Sequence, residues 1–509
     1  MSIKGIIFDM DGVVTQTATV HFKAWKTAIM AFLEKLNEND IVFTEQDYFH
    51  YLDGMPRQEG LAHYLHSKSQ LFPKIKTLYQ NLERCIEVIG TEKNTLFCEL
   101  IATESVRPFP DTLEFIDFLL TNNYQIALIT SSKNCAAILG SAGIEHIFPI
   151  IVDGLTTESL NIPGKPNPGI FLEAAKRMGL KPQECLVVED ALAGVAAAKA
   201  GNFGGVIALD RHQKLRADFS DLNPDYLLPD LSRKQFPLYE FLKAPPKPQT
   251  GFQALNLINE LLEKQYHLLI FSDFDGTLTP IVNTPSQAIL SSSMRGCLNE
   301  LNSNFPVIIV SGRALHDLKE RIHLANLSYA GNHGLEFKSM IPELSSYCFG
   351  EEYKKIMSQV EDDLQRLLNE VPGCIIENKQ LTLSIHYRLV DSSFHPFIKE
   401  AVGNILNKYP QLDDFCGKKV FELRPRIKWN KGYAAHFIFN HFRQTYPHTV
   451  PIYLGDDTSD EDAFAAFNCN GITIKVTAEL STTAAHYFLE SPGEVERFLN
   501  QINQYSLLR

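Results

Sequence analysis

The sequence predicts an α/β protein with two doubly wound parallel-sheet cores, the first carrying a helical cap and the second an α/β cap. Two observations carry that expectation. One arrangement occurs twice, an apolar run that ends in two carboxylates one residue apart and then turns at a glycine. It appears first as Ile6-Ile7-Phe8-Asp9-Met10-Asp11-Gly12 and again as Leu268-Leu269-Ile270-Phe271-Ser272-Asp273-Phe274-Asp275-Gly276. Behind each copy, short apolar runs alternate with segments of helical period, as in a parallel sheet with crossover helices. A strand that ends this way presents both acids at the carboxyl edge of its sheet, where open α/β folds place their ligands. The length agrees, since 509 residues exceed what one hydrophobic core ordinarily supports.

Hydrophobic content of 45% and charged content of 21% point to neither a disordered nor a membrane class. Lys and Arg number 47 against 60 Asp and Glu, a net charge of −13 without any basic tract suited to nucleic acid. Part of that acidity is free to hold metal ions. The apolar run at the start is too short for a signal peptide, and no window approaches about 18 uninterrupted apolar residues. Nine cysteines, an odd count without a C-x-x-C pair, read as scattered reduced thiols. A cytoplasmic protein is expected.

After Asp11, the run from His21-Phe22-Lys23-Ala24-Trp25 to Phe32-Leu33 sets apolar residues three and four apart, and similar patterns continue to Cys98. Residues about 17–100 are therefore expected to form a small helical cap over the Asp9 and Asp11 edge. Strand patterns resume at Tyr124–Ile129, which ends in Thr130-Ser131-Ser132-Lys133-Asn134, and at Ile147–Val152, which leads to Gly164-Lys165-Pro166. Two more follow, Cys185–Val188 ending in Glu189-Asp190 and Gly205–Leu209. Each polar group alone is an ordinary loop residue. Together they compose a phosphoryl-transfer site. One Asp attacks phosphorus to form an aspartyl-phosphate, and a Mg²⁺ held by the carboxylates offsets repulsion between anions. The hydroxyl and the Lys stabilise the equatorial oxygens, and the second Asp protonates the leaving oxygen and later deprotonates the acceptor.

Lys243-Ala244-Pro245-Pro246-Lys247-Pro248 opens a Pro-rich linker, 244–251, expected to be extended and semi-rigid between domains 1–243 and 252–509. Beyond it the helix-like segment Phe252–Leu262 leads into the second acid pair. Only 36 residues then separate Asp275 from Ser311-Gly312-Arg313, at the end of Val307–Val310, too few for a large helical insertion. Instead, 120 residues separate Ser311 from Lys431, so the second cap belongs there. Cys374–Glu377, Leu381–Arg388 and Lys419–Leu423 read as its strands, and segments around Tyr353–Leu368 and Phe397–Leu406 as its helices. The α/β cap is expected over about 338–422 on that pattern. Last comes Gly455-Asp456-Asp457-Thr458-Ser459-Asp460-Glu461-Asp462, an acidic cluster whose charges repel unless a cation sits among them.

On these motifs the first half resembles the beta-phosphoglucomutase group of the haloacid dehalogenase superfamily. The resemblance extends to Thr15-Gln16-Thr17, His21 with Ala24-Trp25, Asp53-Gly54-Met55-Pro56-Arg57, Ser132-Lys133-Asn134, Gly164-Lys165-Pro166 and Val188-Glu189-Asp190. It implies Asp9 as nucleophile, Asp11 as general acid and base, and Thr17 at the cap hinge. It further implies Thr130 and Lys165 on the transferring phosphoryl group, and a Mg²⁺ held by Asp9, Asp11, Glu189 and Asp190. His21, Trp25, Arg57, Ser131, Ser132 and Asn134 would bind substrate, with Arg57 on the distal phosphate. Gln16 stands where the mutases usually carry Asp, and Thr130 where they usually carry Ser. Mutase and phosphatase share this constellation and differ in whether a sugar hydroxyl or water reaches the phosphorylated Asp first. A non-catalytic sugar-phosphate sensor is a third reading.

The second half closely resembles trehalose-6-phosphate phosphatases over about 265–500, a multi-motif match of the kind that needs structural context. Besides the acid pair it shares Ser311-Gly312-Arg313, Gly331-Asn332-His333-Gly334, Glu377 with Lys379, His386-Tyr387-Arg388, Glu422-Leu423-Arg424-Pro425, Trp429 with Lys431-Gly432, and Gly455-Asp456-Asp457 with Asp460-Glu461. Ser459 departs from the Thr often found there. The resemblance implies Asp273 as nucleophile, Asp275 as acid and base, and Ser311 and Lys431 on the phosphoryl oxygens. Mg²⁺ would be held by Asp273, Asp275 and Asp456, and the sugar by Glu377, Lys379, Arg388 and Glu422 with Arg313 and His333. The implied activities are hydrolysis of trehalose 6-phosphate and, in the first half, conversion of beta-glucose 1-phosphate to glucose 6-phosphate, with one Mg²⁺ per half and no nucleic-acid or membrane partner.

Overall fold

The computed structural model describes residues 3–35, 41–53, 55, 57–69, 82–103, 106–211, 216–235, 237–243, 248–282, 287–417, 419–427, 429–479 and 482–507. The chain divides into two compact units, Met1–Lys243 and Ala244–Arg509. Residues 244–247 of the expected linker, Gly54, Pro56 and the side chain of Arg57 lie outside the described residues.

The first unit is built on six strands, β1 (Gly5–Asp9), β2 (Gln125–Ile129), β3 (Ile151–Val152), β4 (Cys185–Glu189), β5 (Gly205–Leu209) and β6 (Tyr226–Leu228). All pairs are parallel, in the order β3-β2-β1-β4-β5-β6. The order reverses at β1, so the carboxyl end of that strand faces the crevice where doubly wound sheets bind ligands. Both sheet faces are covered, one by the helix Pro110–Thr121, whose Phe115 meets Phe8 of β1. Ile7, Ile129 and Val187 pack with Phe171 and Ala174 of the helix Gly169–Arg177 and Val195 of the helix Leu192–Ala200. Continuous apolar strands are what burial on two faces demands.

Between β1 and β2 stand the helices Ala18–Lys35, Glu45–Tyr51, Arg57–Ser69 and Leu82–Thr103, closing over their own core of Trp25, Ile29, Phe43, Leu61 and Tyr64. Two strands differ from the sequence expectation. The run Ile147–Val152 yields only the short β3, because Pro149 has no N–H for a ladder, and β6 carries too few residues to show a period.

The strands of the second unit are β7 (Gln249–Thr250), β8 (His267–Ser272), β9 (Val307–Val310), β10 (Ser328–Gly331), β11 (Glu336–Lys338), β12 (Tyr347–Cys348), β13 (Ile375–Asn378), β14 (Leu383–His386), β15 (Leu412–Gly417), β16 (Val420–Pro425), β17 (Thr449–Gly455), β18 (Ile472–Val476) and β19 (Tyr487–Leu489). The core sheet runs β12-β11-β10-β9-β8-β17-β18-β19-β7, parallel except at β10–β11–β12. The acid-bearing β8 lies between β9 and β17, the position β1 holds between β2 and β4 in the first unit.

The second cap is an antiparallel sheet, β13-β14-β16-β15, backed by the helices Lys354–Leu368 and His395–Lys408. Met357, Val360, Leu364, Ile398 and Val402 bury against Leu383, Ile385 and Leu423. Its elements run later than the expected 338–422, since β11 and β12 extend the core sheet and β16 continues to Pro425. β15 escapes sequence reading because Asp413 and Asp414 interrupt its apolar pattern. Among the described residues, no helix is long and apolar enough to cross a membrane.

Ile7 is fully buried at the centre of the first sheet. Ile7→Ala is expected to lower the stability of that unit by about 2–5 kcal/mol, read as a shift in its urea midpoint; a loss below about 1 kcal/mol would contradict this packing account.

Candidate active sites

In both units the strand ends in a turn of the same construction. Gly12 N–H donates to Thr15 O at 2.8 Å and Gly276 N–H to Thr279 O at 2.8 Å. Both glycines take φ values open to glycine at little cost, +86° and +83°. The absent side chain matters too. A Cβ on Gly12 would land on the carboxylate of Asp190, and one on Gly276 on that of Asp456. The turn therefore sets the first acid pair of each unit beside the acid of a neighbouring strand.

A buried lysine organises each site. Lys165 Nζ donates to Asp9 Oδ1 at 2.6 Å and to Glu189 Oε1, and Lys165 is 1% exposed. Lys431 Nζ donates to Asp273 Oδ1 at 2.8 Å and to Asp460 Oδ1 at 2.9 Å. Burial opposes charging these ammonium groups, yet the paired carboxylates outweigh it and both pKa values rise. The second anchor in each case is itself fixed: Ala191 N–H donates to Glu189, while Tyr453 O–H and the N–H groups of Asp456 and Asp457 donate to Asp460.

The second acids face elsewhere. Asp11 accepts from Thr17 Oγ1, from Thr130 Oγ1 at 3.1 Å and lies 3.4 Å from His21 Nε2. Burial works to raise its pKa, but His21 and the two hydroxyls prevail and it is lowered. Lys93 Nζ stands 2.9 Å from His21 Nδ1, over the rings of Phe97 and Trp25, so a cap helix reaches Asp11 through His21. Asp275 is gripped by both arms of one guanidinium, with Arg313 Nε and Nη2 at 2.6 and 2.7 Å. Arg313 Nη1 also binds Asp317 at 2.7 Å. Arg313, expected to meet sugar, lines the cavity and holds the acid as well.

The donor sets fit a hard divalent cation. Asp9, Glu189 and Asp190 offer oxygens within 4.8 Å of one another, as do Asp273, Asp456 and Asp460. Asp456 Oδ1 is buried with no hydrogen-bond partner, and burial followed by Asp460 raises this carboxyl to about 7, a crowding that a cation relieves. The carboxylates of Asp11 and Asp275, expected in these sets, stand outside both clusters because His21 with the hydroxyls, and Arg313, occupy them.

A cavity of about 400 Å³ opens over the first site, lined by Asp9, Asp11, His21, Trp25, Thr130, Ser131, Ser132, Lys165 and Asp190. Asn134 is not in that lining. It donates to Asn94 Oδ1 of the cap at 2.9 Å. Lys93 and Tyr48 join the wall unannounced by any motif, since a lone polar residue on a helix gives no pattern, and Asp53 of the quoted Asp53–Arg57 segment joins them. The second cavity, about 320 Å³, gathers Asp273, Asp275, Ser311, Arg313, His333, Lys431 and Asp456 with Glu377, Lys379, Arg388 and Glu422 of the cap. Glu422 accepts from Lys379 Nζ at 3.2 Å and Arg424 Nη2 at 2.7 Å and meets His333 Nε2 at 3.0 Å. Glu377 meets His386 Nε2 at 2.9 Å. Asp460, quoted in the motif without a role, proves to be the anchor of Lys431.

Two doubly wound sheets, each with paired acids, a hydroxyl and a buried lysine at the carboxyl edge, are the arrangement of the haloacid dehalogenase fold. Family models agree: residues 3–202 match the haloacid dehalogenase-like hydrolases and residues 271–493 the trehalose-phosphatases. Through its second unit the chain belongs to the trehalose-phosphatase family. It is 34% identical to trehalose-phosphate phosphatase B of Arabidopsis thaliana over 50% of this chain and 71% of that protein. It is 30% identical to an uncharacterized glycosyl hydrolase of Mycobacterium tuberculosis over 98% of this chain, and spans 38% of that protein's length. A crystal structure of beta-phosphoglucomutase from Clostridium difficile covers 47% of this chain and 97% of its own, at 26% identity and a TM-score of 0.38.

His333 yields a pH signature. Burial first, against the pull of Glu422, pushes its pKa down to about 4, so the ring is neutral at pH 7. An unfolded His titrates near 6.5, so between about 6.5 and 4 the unfolded chain holds the extra proton and stability falls as pH falls. His486, also pushed down to about 4 by burial, adds a loss of the same sign. His333→Asn is expected to remove its own share, on the order of 2 kcal/mol between pH 7 and 4.5. The stability gap between wild type and variant in urea titrations should then narrow on acidification; a gap independent of pH would contradict this assignment.

Proposed function

We propose that the second unit hydrolyses trehalose 6-phosphate to trehalose and phosphate, and that the first interconverts beta-glucose 1-phosphate and glucose 6-phosphate. On this reading residues 1–243 and 252–509 are two catalytic domains joined by 244–251, each using one Mg²⁺ and acting in the cytoplasm. Cysteines free of disulfides among the described residues suit a reducing compartment.

The observation supporting the second unit's reading is the facing of two unlike walls in one cavity. Asp273, Asp275, Ser311 and Lys431 lie on the core side, with Glu377, Lys379, Arg388 and Glu422 on the cap side. Asp273 Oδ attacks phosphorus as the bond to the sugar oxygen breaks, and Asp275 delivers a proton to that departing oxygen. Asp275 then takes a proton from water, whose oxygen attacks the aspartyl-phosphate and frees phosphate and Asp273. Lys431 and Ser311 hold the phosphoryl oxygens, and Arg313 positions Asp275 through both of its carboxylate oxygens. When bound among Asp273, Asp456 and Asp460, Mg²⁺ lessens repulsion between the nucleophile and the phosphoryl oxygens. Paired donors and acceptors on the cap suit a polyhydroxyl disaccharide.

For the first unit the supporting observation is the cap-borne chain Lys93–His21–Asp11. It ties the acid's setting to cap closure, the control a mutase needs to keep water from the phosphorylated Asp9. A plain sugar-phosphate phosphatase remains the second reading, since the core constellation is the same.

With trehalose 6-phosphate and Mg²⁺, phosphate release is expected from wild type and a loss on the order of a thousandfold in Asp273→Asn. With beta-glucose 1-phosphate and a trace of glucose 1,6-bisphosphate, glucose 6-phosphate should form without matching phosphate. Phosphate without the isomer would make the first unit a phosphatase, and neither product would end its catalytic reading.

A further inference from the structure

One buried loop of the second unit carries no reacting group, yet it touches both walls of the cavity. After β10, Asn332 and His333 take φ values of 49° and 56°, two consecutive left-handed residues that are not glycine. Such a pair costs free energy unless its surroundings hold it. The surroundings here are the phosphoryl-binding loop: Asn332 N–H donates to Arg313 O at 2.7 Å and His333 N–H to Ser311 O at 2.9 Å. The strained turn is thereby locked to Ser311 and Arg313.

The Asn332 side chain, fully buried, then joins the core sheet to the cap through its amide. Oδ1 accepts from Thr382 Oγ1 at 2.8 Å, and Nδ2 donates to Lys379 O at 3.0 Å and to Glu336 Oε1 at 2.7 Å. Lys379 and Thr382 close the tight hairpin between β13 and β14, with Lys379 N–H donating to Thr382 O at 2.9 Å. The same Lys379 binds Glu422.

We propose that Asn332 is a positioning residue for sugar recognition. Its amide registers the cap hairpin bearing Lys379, and through Lys379 the Glu422 carboxylate, against the phosphoryl-binding loop. It acts on discrimination of the disaccharide and leaves P–O cleavage to the core. This rests on the trehalose 6-phosphate reading given above.

A substrate that uses the cap separates from one that does not. Phosphate release from trehalose 6-phosphate and p-nitrophenyl phosphate is measured on the full chain, with the residual rate of Asp273→Asn subtracted. Asn332→Ala is expected to lower kcat/KM for trehalose 6-phosphate by about 30–100-fold, chiefly through KM, and to leave p-nitrophenyl phosphate within about threefold. Thr382→Val removes only the hydroxyl on Asn332 Oδ1, is gentler on folding, and should show the same selectivity at about 5–10-fold. A wild-type chain inert toward trehalose 6-phosphate defeats the underlying reading. An active wild type whose two variants lose both substrates in proportion, or neither, overturns the positioning role.

Discussion

Each active centre depends on an ammonium buried between two carboxylates that come from different strands. Lys165 joins Asp9 of β1 to Glu189 of β4, and Lys431 joins Asp273, just past β8, to Asp460, beyond β17. A charge taken out of water is costly, and its partners offset that only when geometry is good and the remaining lone pairs are bonded. The N–H groups and the phenol on Glu189 and Asp460 meet that condition. The price of a buried ion triad is met where a pre-organised positive charge is useful, beside a transferring phosphoryl group. The parallel sheets exist to hold these strand ends in register.

The caps account for how the sites differ. In the first unit a helical cap stands over the site, and it contributes His21 and Lys93 to the environment of Asp11. In the second unit the acid is held by Arg313, a core residue, and the cap contributes a polar wall instead. The first arrangement couples the setting of Asp11 to the cap. The second leaves Asp275 to a core residue and gives the cap a polar wall over the cavity.

The cores were legible because strand ends carry local signals: an apolar run followed by a carboxylate, hydroxyl or lysine survives in one dimension. Asp9, Asp11, Thr130, Lys165 and Asp190 fall where the motif order places them, as do Asp273, Asp275, Ser311, Lys431 and Asp456. What was hidden depends on packing across sequence. The partnership of Arg313 with Asp275 needs the turn after β9 brought beside the turn after β8, and Asp460 is one acid among five until Lys431 selects it. Lys93 lies 72 residues from His21, within a helix whose period says nothing of which polar residue turns inward. Short strands were lost for a different reason, since β6 and β12 are sustained by neighbours and not by their own composition.

The central claim is that each buried lysine serves its own phosphoryl site. The most direct measurement is phosphate release from trehalose 6-phosphate by Lys431→Met and Lys165→Met, side chains of similar length without the charge. The account predicts that Lys431→Met loses activity on the order of a thousandfold while Lys165→Met stays near wild type. Comparable losses in both, or a Lys431→Met chain that keeps a tenth of the rate, would contradict it.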